Sequence, residues 1–387
     1  MAMGNAVVSH GGGPTAVLNA SLMGIVEEVR RKGVKHLWAG IRGLAGMAHV
    51  RRLDLLNLSP ATILRAAAQP GSYIGSFRGV ITGDDLERFI QFCRKRDIRY
   101  CFYTGGNGSM GTALRIADVA RNQGYEFLTV GVPKTMDNDI CETDHSPGFG
   151  SAARFVVNAV RDIGIDQRSL PTPVSIIEVM GRNTGWLAAA SILARYRKDA
   201  PPHFIYVPER VFDPQEFLGR IDRLLTAQGW VVGVVAEGLR DASGRVIGAS
   251  GGSARDAKGR VLAGNCSVSL AALVTRRLKV RARSEKPGLL CRALVACRSE
   301  IDAAEALETG RAAARAALSG ESSVMVALRR AGSGRYRCGY TLVPLSSVAN
   351  RERKLEAGYL KRGLVDQSYA HYVLPLVGEM PDVPVML

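Results

Sequence analysis

Short apolar runs rich in β-branched residues alternate along this chain with longer stretches whose apolar positions recur every three or four residues. The first run, Ala6-Val7-Val8-Ser9, reads as a strand. It passes through Gly11-Gly12-Gly13 into a helix carried by Val17, Leu18, Leu22, Ile25, Val26 and Val29. A second strand is predicted over 34–38. Asp84-Asp85 open a helix in which Leu86, Phe89, Ile90 and Cys93 share a face. The strand predicted over 98–103 ends in Thr104-Gly105-Gly106-Asn107-Gly108-Ser109, and a helix runs on to about residue 121. The apolar run 127–132 is a further strand, and it leads straight into Pro133-Lys134-Thr135-Met136-Asp137-Asn138-Asp139.

The pattern restarts after Pro147-Gly148. It predicts a helix over 151–168, a strand over 174–179, a helix over 184–198, a strand near 203–207, a helix over 213–228 and a strand over 230–236. Residues 239–265 are polar and glycine-rich and read as a loop with a short hairpin. An alanine-rich helix follows at 301–318, then strands at 324–328 and 340–343. This β-α-β-α grammar implies largely parallel sheets with helices on both faces. The expected fold is α/β, with two Rossmann-like lobes meeting near residue 148 and an active-site cleft between them. The first lobe is expected to take residues 1–148 plus about 296–348, the second 149–295 plus about 349–387.

Composition narrows the class. At 387 residues, 47% hydrophobic and 22% charged, the chain has enough apolar material for two cores and is not of disordered type. Lysine plus arginine outnumber aspartate plus glutamate 51 to 35, a net charge of +16 that draws anions. The arginines are scattered along helices and aromatics are only 6% of residues, so no stacking platform is formed. Small anionic substrates therefore fit better than nucleic acid. Seven cysteines without a CxxC pair read as reduced thiols of a cytoplasmic protein. The N-terminal stretch does not read as a signal peptide, and the apolar run 230–236 is too short to span a bilayer, so no membrane partner is expected. The six histidines show no metal-ligand spacing.

Three strand-to-loop junctions combine glycine with small polar residues: 11–15, 105–109 and 133–139. Glycines let the backbone approach phosphate oxygens, and a following helix N-terminus favours negative charge. Neither glycine loop is a GxxxxGK[ST] or GxGxxG sequence. In the third junction, Asp137 or Asp139 can serve as a general base toward an alcohol, with Lys134 balancing the charge of a transferring group. An acidic turn after a strand is the plainer alternative for an isolated DxD. A fourth junction, Glu178 to Trp186, places Arg182 at a helix start, where its planar donor fork suits a phosphate.

Taken together, SHGGGPTAVLNAS, GSYIGSFRG, GGNGSM, GVPKTMDNDI and EVMGRNTGWLAAAS resemble the phosphofructokinases, and most of all the branch that includes the pyrophosphate-dependent enzymes. The motifs occur in family order from residue 4 to residue 200, with weaker similarity through AEGL and KPGLLCR to the end. The resemblance implies a donor-binding first lobe, a sugar-phosphate-binding second lobe and a glycolytic phosphotransferase acting on the 1-hydroxyl of fructose 6-phosphate. Asp137 would take the proton of that hydroxyl, Thr135 would help hold that end, and Asp139 would lie nearby. Gly13 would lend its N–H to the donor phosphates, with Gly108 and Ser109 at the donor site, and Arg78 would reach the phosphoryl group in flight. Asn107 takes a position associated with catalytic Mg2+, where many members carry aspartate. Met180, Gly181 and Arg182 would line the sugar-phosphate pocket with Glu237 and Arg292. A homodimer or homotetramer is implied.

Departures from the family pattern bear on donor and acceptor. Pyrophosphate users pair an aspartate at the position of Gly108 with a lysine at the position of Lys134. Here the lysine is present and the aspartate is not, so Gly108 leaves room for ATP, which is the donor the sequence favours, with pyrophosphate as the alternative. Pro173 stands where many ATP-dependent members have an arginine that crosses a subunit boundary. Leu289-Leu290-Cys291 replaces a more polar stretch, which leaves open another ketose phosphate such as sedoheptulose 7-phosphate. With Asn107, these departures also leave open a non-enzymatic, phosphometabolite-sensing regulatory protein. A nucleic-acid-binding protein rests on net charge alone.

Overall fold

The structure, a computed structural model, describes residues 4–44, 52–169, 172–249, 264–332, 335–361 and 364–380. In chain order the strands are β1 (Asn5–His10), β2 (Leu37–Gly40), β3 (Arg52–Asp54), β4 (Ile98–Gly105), β5 (Leu128–Pro133), β6 (Val174–Val179), β7 (Phe204–Tyr206), β8 (Val231–Ala236), β9 (Ala282–Glu285), β10 (Val324–Arg330) and β11 (Cys338–Pro344), and Leu360–Lys361 pairs antiparallel with Leu364–Val365. The principal helices are α1 (Leu18–Arg31), α2 (Pro60–Ala68), α3 (Gly83–Lys95), α4 (Asn107–Asn122), α5 (Phe149–Ser169), α6 (Trp186–Ala190), α7 (Pro214–Gln228), α8 (Cys266–Leu278), α9 (Glu300–Leu318) and α10 (Ser368–Val377). The chain divides into two compact units, residues 1–149 with 292–353 and residues 150–291 with 354–387.

The first unit is a seven-stranded sheet in the order β11-β10-β5-β4-β1-β2-β3. Its five central strands run parallel, and only the edge pairs β10/β11 and β2/β3 are antiparallel. Alternation along each strand feeds two cores. Ala6, Val8, Phe102, Val130 and Val326 pack on one face with α1, α2 and α9. Val7, Cys101, Tyr103, Met325 and Ala327 pack on the other with α3 and α4. The chain leaves β1 for β2 on one side and then returns past β1 to β4, β5 and β10. That reversal lies between β1 and β4, the place where open α/β sheets bind ligands beyond their carboxyl ends.

The second unit is a four-stranded, wholly parallel sheet ordered β7-β8-β6-β9. Val174, Ile176, Val231 and Val235 pack under Phe217 and Ile221 of α7 and Leu270 and Val274 of α8. The α/β class with two largely parallel, Rossmann-like lobes is thus as expected. One predicted helix is much shorter. The stretch 184–198 is helical only at α6, continues as a 3-10 turn over Ser191–Ala194 and then bends away, because Arg195 Nε binds Pro202 O at 2.7 Å. Within the predicted loop 239–265, Arg240 and Val246 form an antiparallel bridge, while 250–263 lie outside the described residues, as do 381–387. No helix among the described residues is long and apolar enough to cross a membrane. All seven cysteines are free thiols.

Candidate active site

Parallel registry brings the three candidate loops side by side. His10 of β1 pairs with Thr104 of β4, and Gly105 pairs with Pro133 of β5, so all three chains leave the sheet at one edge. The Ser109 side chain fills the space between the first two loops: a methyl on Gly105 or on Gly11 would lie 2.1 or 2.5 Å from its hydroxyl oxygen. Ser76, from the GSYIGSFRG segment, closes the third side by donating to Gly12 O at 2.6 Å. Gly108 and Ser109 sit in the first turn of α4, whose N-cap, Gly106, supplies no side-chain acceptor. The opening N–H groups of a helix have no intrahelical partner and attract anions.

Lys134 is only 3% exposed, and its ammonium donates to Gly11 O at 3.0 Å and to Gly13 O at 2.5 Å. Burial, reinforced by Arg292 and Arg78, lowers its pKa to about 8 against the pull of Asp137 and Asp139. The two arginines converge on Gly13. A methyl there would meet Arg292 Nη1 at 2.0 Å and Arg78 Nη2 at 3.1 Å, so a side chain at this position would displace the guanidinium tips. Burial and Arg78 likewise lower the Arg292 guanidinium, while Asp137 holds it up. Beneath them His10 is fully buried, its Nδ1 2.8 Å from Ser72 Oγ. Burial and then Lys134 depress it to about 3, so it is neutral. Three cations therefore crowd one glycine turn, an arrangement that repels itself unless a polyanion is bound.

Arg292 opens the second stretch of the first unit, and its guanidinium lies over Gly13 beside that of Arg78.

The acidic loop after β5 is cross-braced by hydrogen bonds. Asp137 N donates to Thr135 Oγ1 at 3.1 Å. Asn138 is fully buried at φ 55°, and its Oδ1 accepts from Ser146 N at 3.1 Å. Asparagine tolerates this left-handed geometry better than most residues, and the bond to Ser146 ties the two limbs of the loop together. Asn107 Nδ2 donates to Asp139 Oδ2 at 3.0 Å, while Asp139 Oδ1 is buried without a hydrogen-bond partner. Burial pushes the Asp139 carboxyl up, the Thr135 hydroxyl pulls it down, and Glu352 raises it again. An orphaned buried carboxylate oxygen beside an amide fits an oxygen-liganded divalent cation.

In the second unit, the carboxyl ends of β6 and β8 carry the remaining candidates. Gly181 adopts φ 140°, where a side chain would also run into Thr184 O. Glu237 N donates to Val179 O at 3.0 Å. Burial raises the Glu237 carboxyl, which a Gly181 backbone bond and Arg182 partly offset. Glu178 is buried and accepts from Ser267 N and Oγ at 2.8 and 3.0 Å. Lys286 binds Gly264 O and Asn265 Oδ1. Met180, Gly181, Arg182 and Glu237 thus share one strand-end surface, while Leu289 and Leu290 are exposed. Sequence reasoning did not single out Ser76, Asn138, Glu178 or Lys286. All four stood inside the quoted motifs, but their supporting bonds join segments distant in sequence or across the loop.

Comparison with known proteins matches residues 5–317 to the Phosphofructokinase family. The chain belongs to the phosphofructokinase family. It is 35% identical to the pyrophosphate–fructose 6-phosphate 1-phosphotransferase of Xanthomonas campestris pv. campestris (strain B100), over 98% of this chain and 93% of that protein. It is 31% identical to a sulfofructose kinase of Alkalicoccus urumqiensis, over 92% and 91%. The crystal structure of a pyrophosphate-dependent phosphofructokinase from Marinobacter aquaeolei superposes with a TM-score of 0.88 at 32% identity, covering 99% of this chain and 94% of that one. Family membership makes the chain a phosphotransferase of phosphofructokinase type. The relatives named for pyrophosphate, matched over nearly the whole chain, back the pyrophosphate alternative better than the ATP preference drawn from Gly108.

Proposed function

We propose that this chain transfers a phosphoryl group from pyrophosphate to the 1-hydroxyl of fructose 6-phosphate, giving fructose 1,6-bisphosphate and phosphate. The observation that carries the donor is the buried Lys134 ammonium seated on the Gly11 and Gly13 carbonyls, with Arg78 and Arg292 over the same turn. A compact tricationic cradle suits a small, highly charged donor. The relatives named for pyrophosphate that match nearly the whole chain support the same choice.

In this reading the Asp137 carboxylate accepts the proton of the acceptor hydroxyl, whose oxygen bonds to the nearer phosphorus of pyrophosphate as the bridging P–O bond breaks. Lys134 neutralises the departing phosphate, and Arg78 follows the phosphoryl group. The protein contributes mainly position and charge. Thr135 and Asp139 hold the acceptor end, Gly13, Gly108 and Ser109 present the donor site, and Arg292 grips phosphate. Met180, Gly181, Arg182 and Glu237 bind the sugar phosphate. Asn107 and Asp139 are the groups that would hold Mg2+, which supplies charge neutralisation on the donor oxygens when bound.

A coupled assay with each donor in parallel tests this proposal. Turnover is expected with pyrophosphate, and turnover with ATP alone would overturn it. Sedoheptulose 7-phosphate and sulfofructose, offered in place of fructose 6-phosphate, test the acceptor. The sulfofructose arm is motivated by the relative of that name.

A further inference from the structure

The acidic loop does not end at Asp139. Its return limb, residues 143–148, runs back alongside it and carries a buried histidine that the chemistry above does not use. Thr135 N donates to Pro147 O at 3.2 Å, and Ser146 N donates to Asn138 Oδ1. The limb is fastened to β10, where Asp144 N donates to Leu328 O at 2.9 Å and Leu328 N donates to Thr143 Oγ1 at 2.9 Å. It is fastened to α9 as well, where Gly148 N donates to Asp302 Oδ1 at 2.8 Å.

His145 sits in the middle of this limb and is 2% exposed. Its Nδ1 is 2.8 Å from Asp144 Oδ1, and its Nε2 is 2.7 Å from Glu305 Oε2 on α9. A neutral imidazole donates from only one nitrogen, so it would leave one of these carboxylates facing a lone pair. Only the doubly protonated ring donates to both. The charged and titratable groups around this network from the packed segments are Asp144, Glu305, Tyr336, Cys338, Arg330 and Arg353. Tyr336 OH donates to Glu305 Oε1 at 2.5 Å, and Arg330 Nη2 donates to Asp144 Oδ1 at 3.3 Å. Arg353, which donates to Thr143 O at 2.7 Å, also acts on Asp144, so that carboxylate faces Arg330 and Arg353 as well as the ring.

We infer that His145 is a positioning residue: an imidazolium clamped between Asp144 and Glu305 that fixes the return limb and, through it, the placement of Thr135 and Asp137. The inference rests on the function proposed above, since positioning is read out through phosphoryl transfer. The two carboxylate bonds raise His145 to about 9 in spite of burial, which depresses it. A folded-state value above the unfolded 6.5 means that the stabilisation is complete below about pH 6.5 and is lost as pH rises through about 9.

The test compares wild type, His145→Gln and the double variant His145→Gln/Glu305→Gln by steady-state kinetics and by melting temperature between about pH 6 and pH 10. His145→Gln is expected to lower kcat about tenfold with the pyrophosphate KM within about twofold, because placement is lost while the donor cradle stays. The double variant should regain part of that loss, since it removes the carboxylate stranded by the single change. The melting-temperature gap between wild type and His145→Gln should be widest at the acid end and close at the alkaline end. A wild-type kcat in His145→Gln, or a gap independent of pH, would overturn the inference. So would one equivalent of zinc found by elemental analysis, because His145, Glu305 and Cys338 place ligand atoms within 4.8 Å of one another. If His145→Gln does not fold, Glu305→Gln serves: its alkaline loss of stability should begin at lower pH, and an unmoved profile counts against the clamp. Absence of transferase activity in wild type would defeat the proposed function, while the pH-dependent gap would still decide the clamp independently.

Discussion

Lys134 spends two of its three ammonium donors on backbone carbonyls of the first glycine loop, which leaves one to face a ligand. Its lowered pKa, about 8, gives the free enzyme a charge that fades within an accessible range. The sign follows directly: as pH rises through about 8 the ammonium loses its proton, and the departing phosphate loses a counter-charge. We therefore expect kcat/KM for pyrophosphate to fall along an alkaline limb centred near that pH. Lys134→Met should be slower by about 100-fold and lack this limb. An alkaline limb that survives in Lys134→Met would assign the titration elsewhere. Asp137 gives a second residue-level prediction. Asp137→Asn keeps the loop geometry, because the bond to Thr135 Oγ1 comes from the backbone N–H. Turnover should fall by about 10²–10⁴-fold with fructose 6-phosphate binding changed little by calorimetry. Near-normal turnover would remove the carboxylate from the proton-accepting role.

At the scale of elements, the acidic loop is held from behind by α9, and α9 in turn lies unusually close to α1. A methyl on Gly310 would sit 2.0 Å from Ser21 O, a backbone atom that cannot swing aside. Gly310→Ala should push the helices apart and cost about 1–3 kcal/mol, seen as a lowered melting temperature. Because Asp302 and Glu305 ride on the same helix, kcat should fall with it. A variant as stable as wild type would mean that the helix pair yields at no cost. This dependence on a distant helix marks where sequence reading stops. β1, β4, β5, β6 and β8 were legible because each is a compact apolar run ended by glycine or a charge, and their order of use placed three loops at one sheet edge. The overlong helix at 184–198 came from counting apolar residues past the point where Arg195 is drawn to Pro202. β3, α2, α8, β9 and α10 were not predicted, although Ser59-Pro60 is a clear helix start whose hydroxyl does cap Thr62 N. The candidate residues of the acidic loop stand within one short motif, but the Asn107–Asp139 bond, the approach of Arg292 to Gly13 and the His145 clamp join residues 32, more than 250 and 160 positions apart. No local pattern encodes such pairs.

Over the whole molecule the excess of cations is +16, and part of it is concentrated where it does chemical work. Scattered surface arginines raise the general potential, but Lys134, Arg78 and Arg292 share one turn, with Asp137 as a nearby opposing charge. The general field and the local cradle should respond differently to salt. At about 0.15 M the screening length is about 8 Å, so mobile ions weaken the long-range attraction of pyrophosphate much more than the contacts made once it is seated. Raising sodium chloride from about 20 to about 200 mM should therefore lower kcat/KM for pyrophosphate several-fold, almost entirely through KM, with kcat nearly constant. Neutralising two exposed arginines of the second unit, Arg277 and Arg281, should flatten that salt slope while leaving kcat alone. A kcat that falls in step with kcat/KM as salt is added would place the effect on the seated donor, and the scattered charge would then have no part in capture.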